Sequence, residues 1–182
     1  MLKAWAAVLV LLGAAWSAAA AAPITHLHGK VIYVDDGDTL ILLTEGHSKV
    51  NVRLTDIDAP ESAHGKGRPG QPFSQRSKES LSQLAHGKQA DVDCYDTDRY
   101  QRQVCRVFVD GLDVNLEQVR RGMAWANRAD KRYVRDAHVY ELEDEARASR
   151  RGLWASRSQQ PIAPWEWRKA CWQKGACDGQ GD

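Results

Sequence analysis

The sequence predicts an α+β domain in which a five-stranded β-barrel is flanked by three helices. Two observations lead to this prediction. Short runs of β-forming residues are bounded by Asp-Gly and Glu-Gly turn signals. Segments with helical periodicity occur once between the third and fourth run and twice after the fifth. This order of elements is typical of an OB-type barrel with added helices.

The strands are recognised by β-branched residues that lie between turn signals. Asp35-Asp36-Gly37 separates the first run from the second, and Glu45-Gly46-His47 separates the second from the third. In the third run, alternation places Arg53 on the face opposite the apolar positions. The predicted strands cover residues 31–34, 39–43, 50–54, 89–94 and 104–109.

Three segments have the composition and spacing of helices, and each is followed by a glycine that can end it. These glycines are Gly87, Gly122 and Gly152. Residues 63–72, which contain three glycines and two prolines, predict a mobile loop before the first helix. The predicted helices cover residues 74–85, 114–121 and about 135–150.

Residues 1–22 are predicted to be a secretory signal peptide. A short basic start with Lys3 precedes an apolar run at 4–15 and a series of alanines suited to cleavage. An uncleaved membrane anchor is the alternative, but the run is short for a span of about 20 residues. We therefore expect an exported protein, periplasmic or secreted, with no membrane contact after cleavage. A domain at 23–168 and a tail at 169–182 would remain.

The charge balance excludes a protein that holds nucleic acid by bulk charge. The chain has 25 Lys and Arg against 24 Asp and Glu, and Lys3 is the only charged residue before position 23. The exported chain would therefore be neutral, so a polyanion must be held by a local site. Because the sequence shows no clear oligomerisation surface, we expect a monomer.

The four cysteines are expected to form two disulfides, which export permits. Cys94 and Cys105 flank a turn between two predicted strands and would face each other across a ladder. Cys171 and Cys177 would close a small loop. The alternative for the first pair is a reduced pair in the core. A zinc site is not indicated, because these cysteines lack the spacing and nearby histidines of a zinc finger.

Two aspartates are candidate ligands of a hard cation. Asp38 follows a turn at the predicted barrel rim, and Asp58 follows the third strand. Carboxylates from adjacent strands can bind one Ca²⁺, with a backbone carbonyl and waters completing the shell. An Asp-Gly-Asp sequence is explained by turn chemistry more often than by metal binding, so neither motif is specific alone.

Three further residues would complete a site for phosphodiester cleavage. Glu61, three residues beyond Asp58, can orient a water molecule or accept its proton. Arg53 and Arg102 can bracket a phosphate, since guanidinium donors match its oxygens and stabilise the charge of the transition state. Each residue alone is more often an ordinary surface charge, so the prediction depends on the set.

These motifs together resemble the staphylococcal nuclease (thermonuclease) family over about residues 27–168. Its expected signatures occur in order along the chain, and the ordered set is specific. The matching segments are Gly37-Asp38-Thr39, Arg53-Leu54, Asp58-Ala59-Pro60-Glu61, Asp98-Arg99-Tyr100 with Arg102, Gly122-Met123-Ala124-Trp125, residues 146–154, and Pro164-Trp165-Glu166-Trp167-Arg168.

The resemblance implies a Ca²⁺-dependent nuclease with a five-stranded OB-fold barrel and three helices. Such enzymes hydrolyse DNA and RNA and leave 3′-phosphate ends. The matching positions would make Asp38 and Asp58 side-chain ligands of the metal, and Ala59 would offer its backbone carbonyl. The family often has Thr at position 59, but a carbonyl ligand survives that change.

The resemblance also assigns roles at the phosphates. Glu61 would position the attacking water, and Arg53 and Arg102 would stabilise the transition state. Arg99 and Tyr100 would hold a terminal or neighbouring phosphate.

Two departures from the family pattern concern the substrate side of the site. Gln101 stands where the family usually has Gly, so a positive φ there would strain the chain and could displace Arg102. The tyrosine pair that stacks on the nucleotide in the staphylococcal enzyme is also missing. Trp125 or Tyr133 is the candidate substitute, and the base preference stays open.

Two other functions remain as alternatives. The first is a non-catalytic OB-fold module that binds single-stranded nucleic acid, since some relatives have lost catalysis. The presence of all five residues of the predicted centre and the near-zero charge argue against it. The second is a secreted barrel that binds saccharide or protein, for which the clustered acids and arginines would have no explanation.

Overall fold

Five long strands form the barrel that the sequence predicts, in a computed structural model that describes residues 23–156 and 160–177. The predicted signal peptide therefore lies outside the described residues. Three strands of two residues each supplement the barrel strands. In chain order the strands are β1 Thr25–Val34, β2 Thr39–Thr44, β3 Lys49–Leu54, β4 Ile57–Asp58, β5 Gln89–Thr97, β6 Gln103–Val109, β7 Leu112–Asp113 and β8 Trp125–Ala126.

The barrel closes through one parallel contact. The pairs β1–β2, β2–β3, β1–β5 and β5–β6 are antiparallel, and β3 then pairs with β6 in parallel, with Arg53 opposite Val104. Closure removes the sheet edges and buries one face of each strand. This architecture confirms the predicted α+β OB-type barrel. The fully buried interior includes Val31, Leu40, Leu42, Val52, Val92 and Val107.

Four α-helices and several single turns surround the barrel. The predicted first helix is observed with the same bounds. The second ends one residue earlier than predicted, and the third is shorter at both ends. The helices are α1 Ser74–Ala85, α2 Val114–Arg120, α3 His138–Ala148 and α4 Pro164–Trp167. Turns of 3₁₀ helix occur at Lys131–Tyr133 and Gly152–Ala155, and a π-helical turn at Arg168–Trp172 follows α4.

Helix α1 buries polar as well as apolar side chains against α2. Ser77 and Ser80 lie on its buried face, where they are satisfied by hydrogen bonds. The Ser77 hydroxyl donates to the Met123 carbonyl at 2.6 Å, and the Ser80 hydroxyl donates to the Gln118 side chain at 2.6 Å. Gln118 in turn donates to the Gly37 carbonyl at 2.8 Å. A polar chain thus connects the helices to the β1–β2 turn.

Both predicted disulfides are confirmed. Cys94 and Cys105 are directly opposite each other on β5 and β6, and Cys171 is bonded to Cys177 near the C-terminus. The first disulfide covalently joins two barrel strands, and such cross-links stabilise a fold largely by restricting the unfolded chain.

The segment after α3 packs on the domain rather than extending away from it. A second apolar cluster contains Trp125, Leu153 and Ala163, with Phe73, Trp154 and Trp165 packed against it. Trp167 is also buried. Among residues 23–156 and 160–177, every helix is too short or too polar to cross a bilayer.

Candidate active site

The predicted site residues are brought together in one open pocket of about 930 Å³. It lies where the β1–β2 and β5–β6 turns meet, beside the end of β3. Segments from residue 33 to residue 172 contribute to its wall. All eight predicted residues line it: Asp38, Arg53, Asp58, Ala59, Glu61, Arg99, Tyr100 and Arg102.

Asp38 is held in the wall by the turn between β1 and β2. Its backbone N–H donates to the Asp36 carboxylate at 3.0 Å, and its side chain accepts from the Thr39 hydroxyl at 3.1 Å. A third bond reaches the other aspartate motif, since the backbone N–H of Ala59 donates to Asp38 Oδ2 at 2.7 Å. The two motifs therefore support each other, and Asp38 is only 4% exposed.

Asp58 is aimed at the pocket by a sharp bend after β3. Asp56 adopts φ 69, and its buried carboxylate accepts backbone N–H groups from Arg135 and Asp136. Those two amides precede α3, and the Asp136 side chain accepts the N–H of His138, the first residue of that helix. Beyond the bend, Asp58 pairs with Trp125 in the short β4–β8 ladder, which fixes its position.

Arg53 bridges the two aspartates. Its Nη1 lies 2.8 Å from Asp38 Oδ2, and its Nη2 lies 3.0 Å from Asp58 Oδ1. The same Nη1 donates to the Leu54 carbonyl at 3.1 Å. These contacts pin the guanidinium, whose side chain is 15% exposed, at the floor of the pocket. The strand alternation that predicts Arg53 to face away from the apolar positions is therefore confirmed.

Glu61 lies in the pocket wall and contacts an arginine that sequence reasoning gave no role. Arg168 donates from Nη1 to the Glu61 carboxylate and closes a two-pronged contact on Asp58, at 3.1 Å to Oδ1 and 2.8 Å to Oδ2. Its only signal in the sequence was the matching tail motif, because nothing local connects it to an acid 107 residues away.

Arg102 projects into the pocket from the β5–β6 turn. Asp98 builds that turn by accepting the backbone N–H groups of Tyr100 at 2.8 Å and Arg102 at 3.0 Å. Gln101 has φ 64, so the position does require the left-handed conformation that usually favours Gly. Arg102 nevertheless reaches the Thr39 hydroxyl from Nη1 at 3.2 Å, so it is not displaced from the site.

Arg99, Tyr100 and Tyr133 form the outer wall. Tyr100 is 63% exposed, and the guanidinium carbon of Arg99 lies 4.9 Å from its ring centre. Tyr133 also lines the pocket, whereas Trp125 is 2% exposed and packs in the second apolar cluster. The idea that Trp125 could stack on a nucleotide is therefore wrong, because its ring is already covered by protein.

Burial raises the pKa of three acids in the pocket. It raises the pKa of Asp38 to about 7; Arg53 counteracts the shift in part, and Asp36 and Asp58 reinforce it. Burial also raises the pKa of Asp36 and that of Glu61, the latter opposed by Arg168. Asp36 has no role in the sequence-based prediction, where its Asp-Gly sequence indicates only a turn.

The charges of the pocket fit a divalent cation. Four carboxylates, those of Asp36, Asp38, Asp58 and Glu61, line the inner part of the pocket, and only two arginines, Arg53 and Arg168, form ion pairs there, with three of the four. Among the described residues, no three His, Cys, Asp or Glu side chains form a metal cluster by themselves. A cation here would therefore need backbone and water oxygens besides Asp38 and Asp58, as Ca²⁺ accepts.

The pocket also presents guanidinium groups, both at its floor and along its outer wall. Six arginines line it: Arg53, Arg68, Arg99, Arg102, Arg132 and Arg168. Arginine forks match phosphate oxygens, so a chain of nearly zero net charge still presents a local surface for a polyanion.

Gly37 holds the β1–β2 turn against α1, and an added methyl group should destabilise the protein. A Cβ at position 37 would lie 1.9 Å from Ser77 Oγ and 2.7 Å from Ala59 Cβ. We expect Gly37→Ala to lower the free energy of unfolding by about 1–3 kcal/mol, the usual cost of overpacking. Urea unfolding measures this. Gly46→Ala is the control, because its nearest neighbour would be 3.9 Å away; equal stability of the two variants would contradict the prediction.

The part of the chain that forms most of this site matches a known protein family. A family model described as staphylococcal nuclease homologue matches residues 51–156. The chain belongs to the staphylococcal nuclease family. The match covers Arg53, Asp58, Glu61 and Arg102, so the family assignment and the geometry of the pocket concern the same residues.

Several relatives of this staphylococcal nuclease homologue extend the similarity over most of the chain. An uncharacterized endonuclease of Haemophilus influenzae is 39% identical over 140 residues, covering 77% of this chain and 72% of the relative. Protein ParB of Escherichia coli is 37% identical over 180 residues, covering 93% and 91%. A micrococcal nuclease of Shigella flexneri is 35% identical over 174 residues, covering 91% and 89%. The protein is accordingly a nuclease, a hydrolase of phosphodiester bonds.

Proposed function

We propose that this nuclease is exported, requires Ca²⁺, and hydrolyses both DNA and RNA to leave 3′-phosphate ends. The observation that carries the proposal is the pocket itself, in which an excess of buried carboxylates lies directly beside arginines. A divalent cation would balance the carboxylates, and a phosphodiester would satisfy both the cation and the arginines.

The arginines bind and orient the scissile phosphate. Arg53, fixed from both sides by Asp38 and Asp58, offers guanidinium hydrogens at the pocket floor, and Arg102 offers others from the β5–β6 turn. Charge on the phosphoryl oxygens increases as the attacking oxygen approaches phosphorus. Donors that are already in place stabilise this state more than the ground state.

Glu61 accepts the proton of the attacking water. The water oxygen forms a bond to phosphorus while the bond from phosphorus to the 5′-oxygen breaks, and the 5′-oxygen takes a proton from solvent to become a hydroxyl. The phosphate stays on the 3′-oxygen. Burial raises the pKa of Glu61, which favours its role as a base because a weakly solvated carboxylate binds a proton more readily.

Asp38 and Asp58, with the Ala59 carbonyl, would hold Ca²⁺, which when bound would supply positive charge to polarise the phosphate and the attacking water. In the structure the backbone N–H of Ala59 already binds Asp38, which keeps this residue against the proposed ligands.

Export is supported by the two disulfides. Disulfides persist in oxidising compartments, and both cysteine pairs are bonded. The hydrophobic start of the sequence is the other support. Export would also separate the nuclease from the nucleic acid of its own cell.

Removal of Ca²⁺ tests the proposal directly. Protein recovered from the periplasm or medium, with its N-terminus identified by mass, should cleave DNA and RNA with Ca²⁺ and lose activity with EGTA. Restoring Ca²⁺ should restore cleavage. Fragments should accept a label from polynucleotide kinase at the 5′ end without phosphatase treatment, because a 5′-hydroxyl is formed. Cleavage in EGTA, or 5′-phosphate ends, would contradict the proposal, and binding without cleavage would indicate the single-strand-binding alternative.

A further inference from the structure

The guanidinium of Arg168 binds the carboxylate of Asp58, the same group that is proposed to bind a metal. Both oxygens of Asp58 accept from its fork, at 3.1 and 2.8 Å, and its Nη1 also contacts Glu61. Asp58 is nearly completely buried, so these hydrogen bonds are shielded from solvent and are stronger than surface ion pairs. Arg168 thus links the proposed ligand and the proposed base.

A defined structural element delivers this guanidinium. We call residues 160–177 the C-terminal cap; it contains α4, the π-helical turn and the second disulfide. Trp167 and Cys171, on either side of Arg168, are buried, and the Trp172 indole donates to the Pro69 carbonyl at 3.1 Å. Gln71 donates to the Ile162 carbonyl at 2.5 Å. The cap therefore covers the loop that follows Glu61.

Two arginines share Asp58, and they differ in how firmly they are held. Arg53 also binds Asp38 and the Leu54 carbonyl, and its side chain is 15% exposed. Arg168 is 32% exposed and reaches the pocket from the cap at the surface. A cation that takes an oxygen of Asp58 competes with both guanidinium groups, because neither can lose its charge at physiological pH and like charges repel. Arg168 binds two groups, Asp58 and Glu61, whereas Arg53 binds three, and Arg168 is the more exposed. Arg168 is therefore the arginine that leaves Asp58.

We propose that Arg168 is an exchangeable counter-cation of the active centre, which pairs with Asp58 and Glu61 in the free enzyme and leaves Asp58 when Ca²⁺ binds. This inference rests on the proposed calcium dependence. Arg168 then acts as a positioning residue, because its contact with Glu61 holds that carboxylate in the pocket wall. It also sets the calcium affinity, since the ion must compete with a tethered positive charge.

Neutralising this active-site arginine should tighten metal binding rather than weaken it. We expect Arg168→Gln to bind Ca²⁺ about tenfold more tightly than wild type in calorimetric titration, because a like charge close to the ion is removed. Arg168→Lys keeps the charge and should stay near wild type. Lys169→Gln is the matched control, since it removes one positive charge from the exposed neighbouring residue, and it should leave the affinity unchanged.

Hydrogen exchange of the wild-type protein gives a readout that needs no variant. Addition of Ca²⁺ should increase exchange in the cap, while the barrel around Asp38 becomes more protected. Unchanged or weaker Ca²⁺ binding by Arg168→Gln, or a cap that Ca²⁺ protects, would overturn this inference alone. A wild-type protein that binds no Ca²⁺ would overturn the proposed calcium dependence together with it.

Discussion

Glu61→Gln is expected to abolish most of the nuclease activity while leaving the fold intact. General base catalysis contributes about 10²–10⁴-fold to a rate, and the amide cannot accept the proton of the attacking water. Gln has the same shape and still offers an oxygen to Arg168, which contacts Glu61 in the structure. The loss should therefore appear in kcat rather than in protein stability.

Steady-state cleavage of a short fluorescent oligonucleotide measures kcat and KM separately. We expect kcat to fall by about two to four orders of magnitude and KM to change little, because the arginines that bind phosphate remain. Glu45→Gln, in the exposed β2–β3 turn, provides the same chemical change away from the pocket and should be neutral. A Glu61→Gln enzyme with wild-type kcat would remove Glu61 from the mechanism.

The barrel could be predicted because its determinants are local. Turn residues and alternation specify each strand without knowledge of the others, and Arg53 is placed correctly by period alone. Local patterns fail where a distant partner decides the structure. Asp56, far earlier in the chain, accepts the N–H groups of Arg135 and Asp136 and so fixes the path of the segment that leads into α3 at His138. Ser77 would ordinarily be placed at the surface, yet it is buried, with its hydroxyl donating a hydrogen bond to the Met123 carbonyl.

The site was predictable to the extent that its motifs carry their own signal. Asp38 and Glu61 lie within short segments whose order matches a known family, so their convergence on one pocket follows from the fold. Asp36 resembles an ordinary turn residue, and only the closed barrel shows that its carboxylate is buried beside Asp38. Arg168 depends on the path of the chain after α3, which no periodicity specifies.

The largest combined effect on stability and activity is expected for Arg53→Ala. Arg53 bridges two carboxylates whose side chains are only 6% and 3% exposed. Removing one partner of a buried ion pair leaves uncompensated charge and costs about 3–5 kcal/mol. We therefore expect a loss of that size in the free energy of unfolding when it is measured in EGTA. Turnover should fall by about 10²–10³-fold or more, because a donor that stabilises the transition state is lost.

Arg102→Ala is the comparison for Arg53→Ala, because Arg102 is expected to contribute to turnover but little to stability. Arg102 is more exposed, at 26%, and its ion pair is with Asp98 at the turn. An ion pair of this kind contributes about 0–1 kcal/mol, so the variant should lose turnover to a similar extent while unfolding nearly as wild type does.

Calcium should affect the stability of Arg53→Ala more than that of Arg102→Ala. Ca²⁺ bound between Asp38 and Asp58 would replace part of the charge that Arg53 supplies, so it should recover much of the stability lost in Arg53→Ala, in proportion to occupancy. It should not recover turnover, because the ion cannot stand in for the missing guanidinium at the phosphate. Urea unfolding of both variants, with Ca²⁺ and with EGTA, measures this difference. If Arg53→Ala were as stable as Arg102→Ala in EGTA, the ion pairs of Arg53 with the two buried aspartates would contribute nothing to stability.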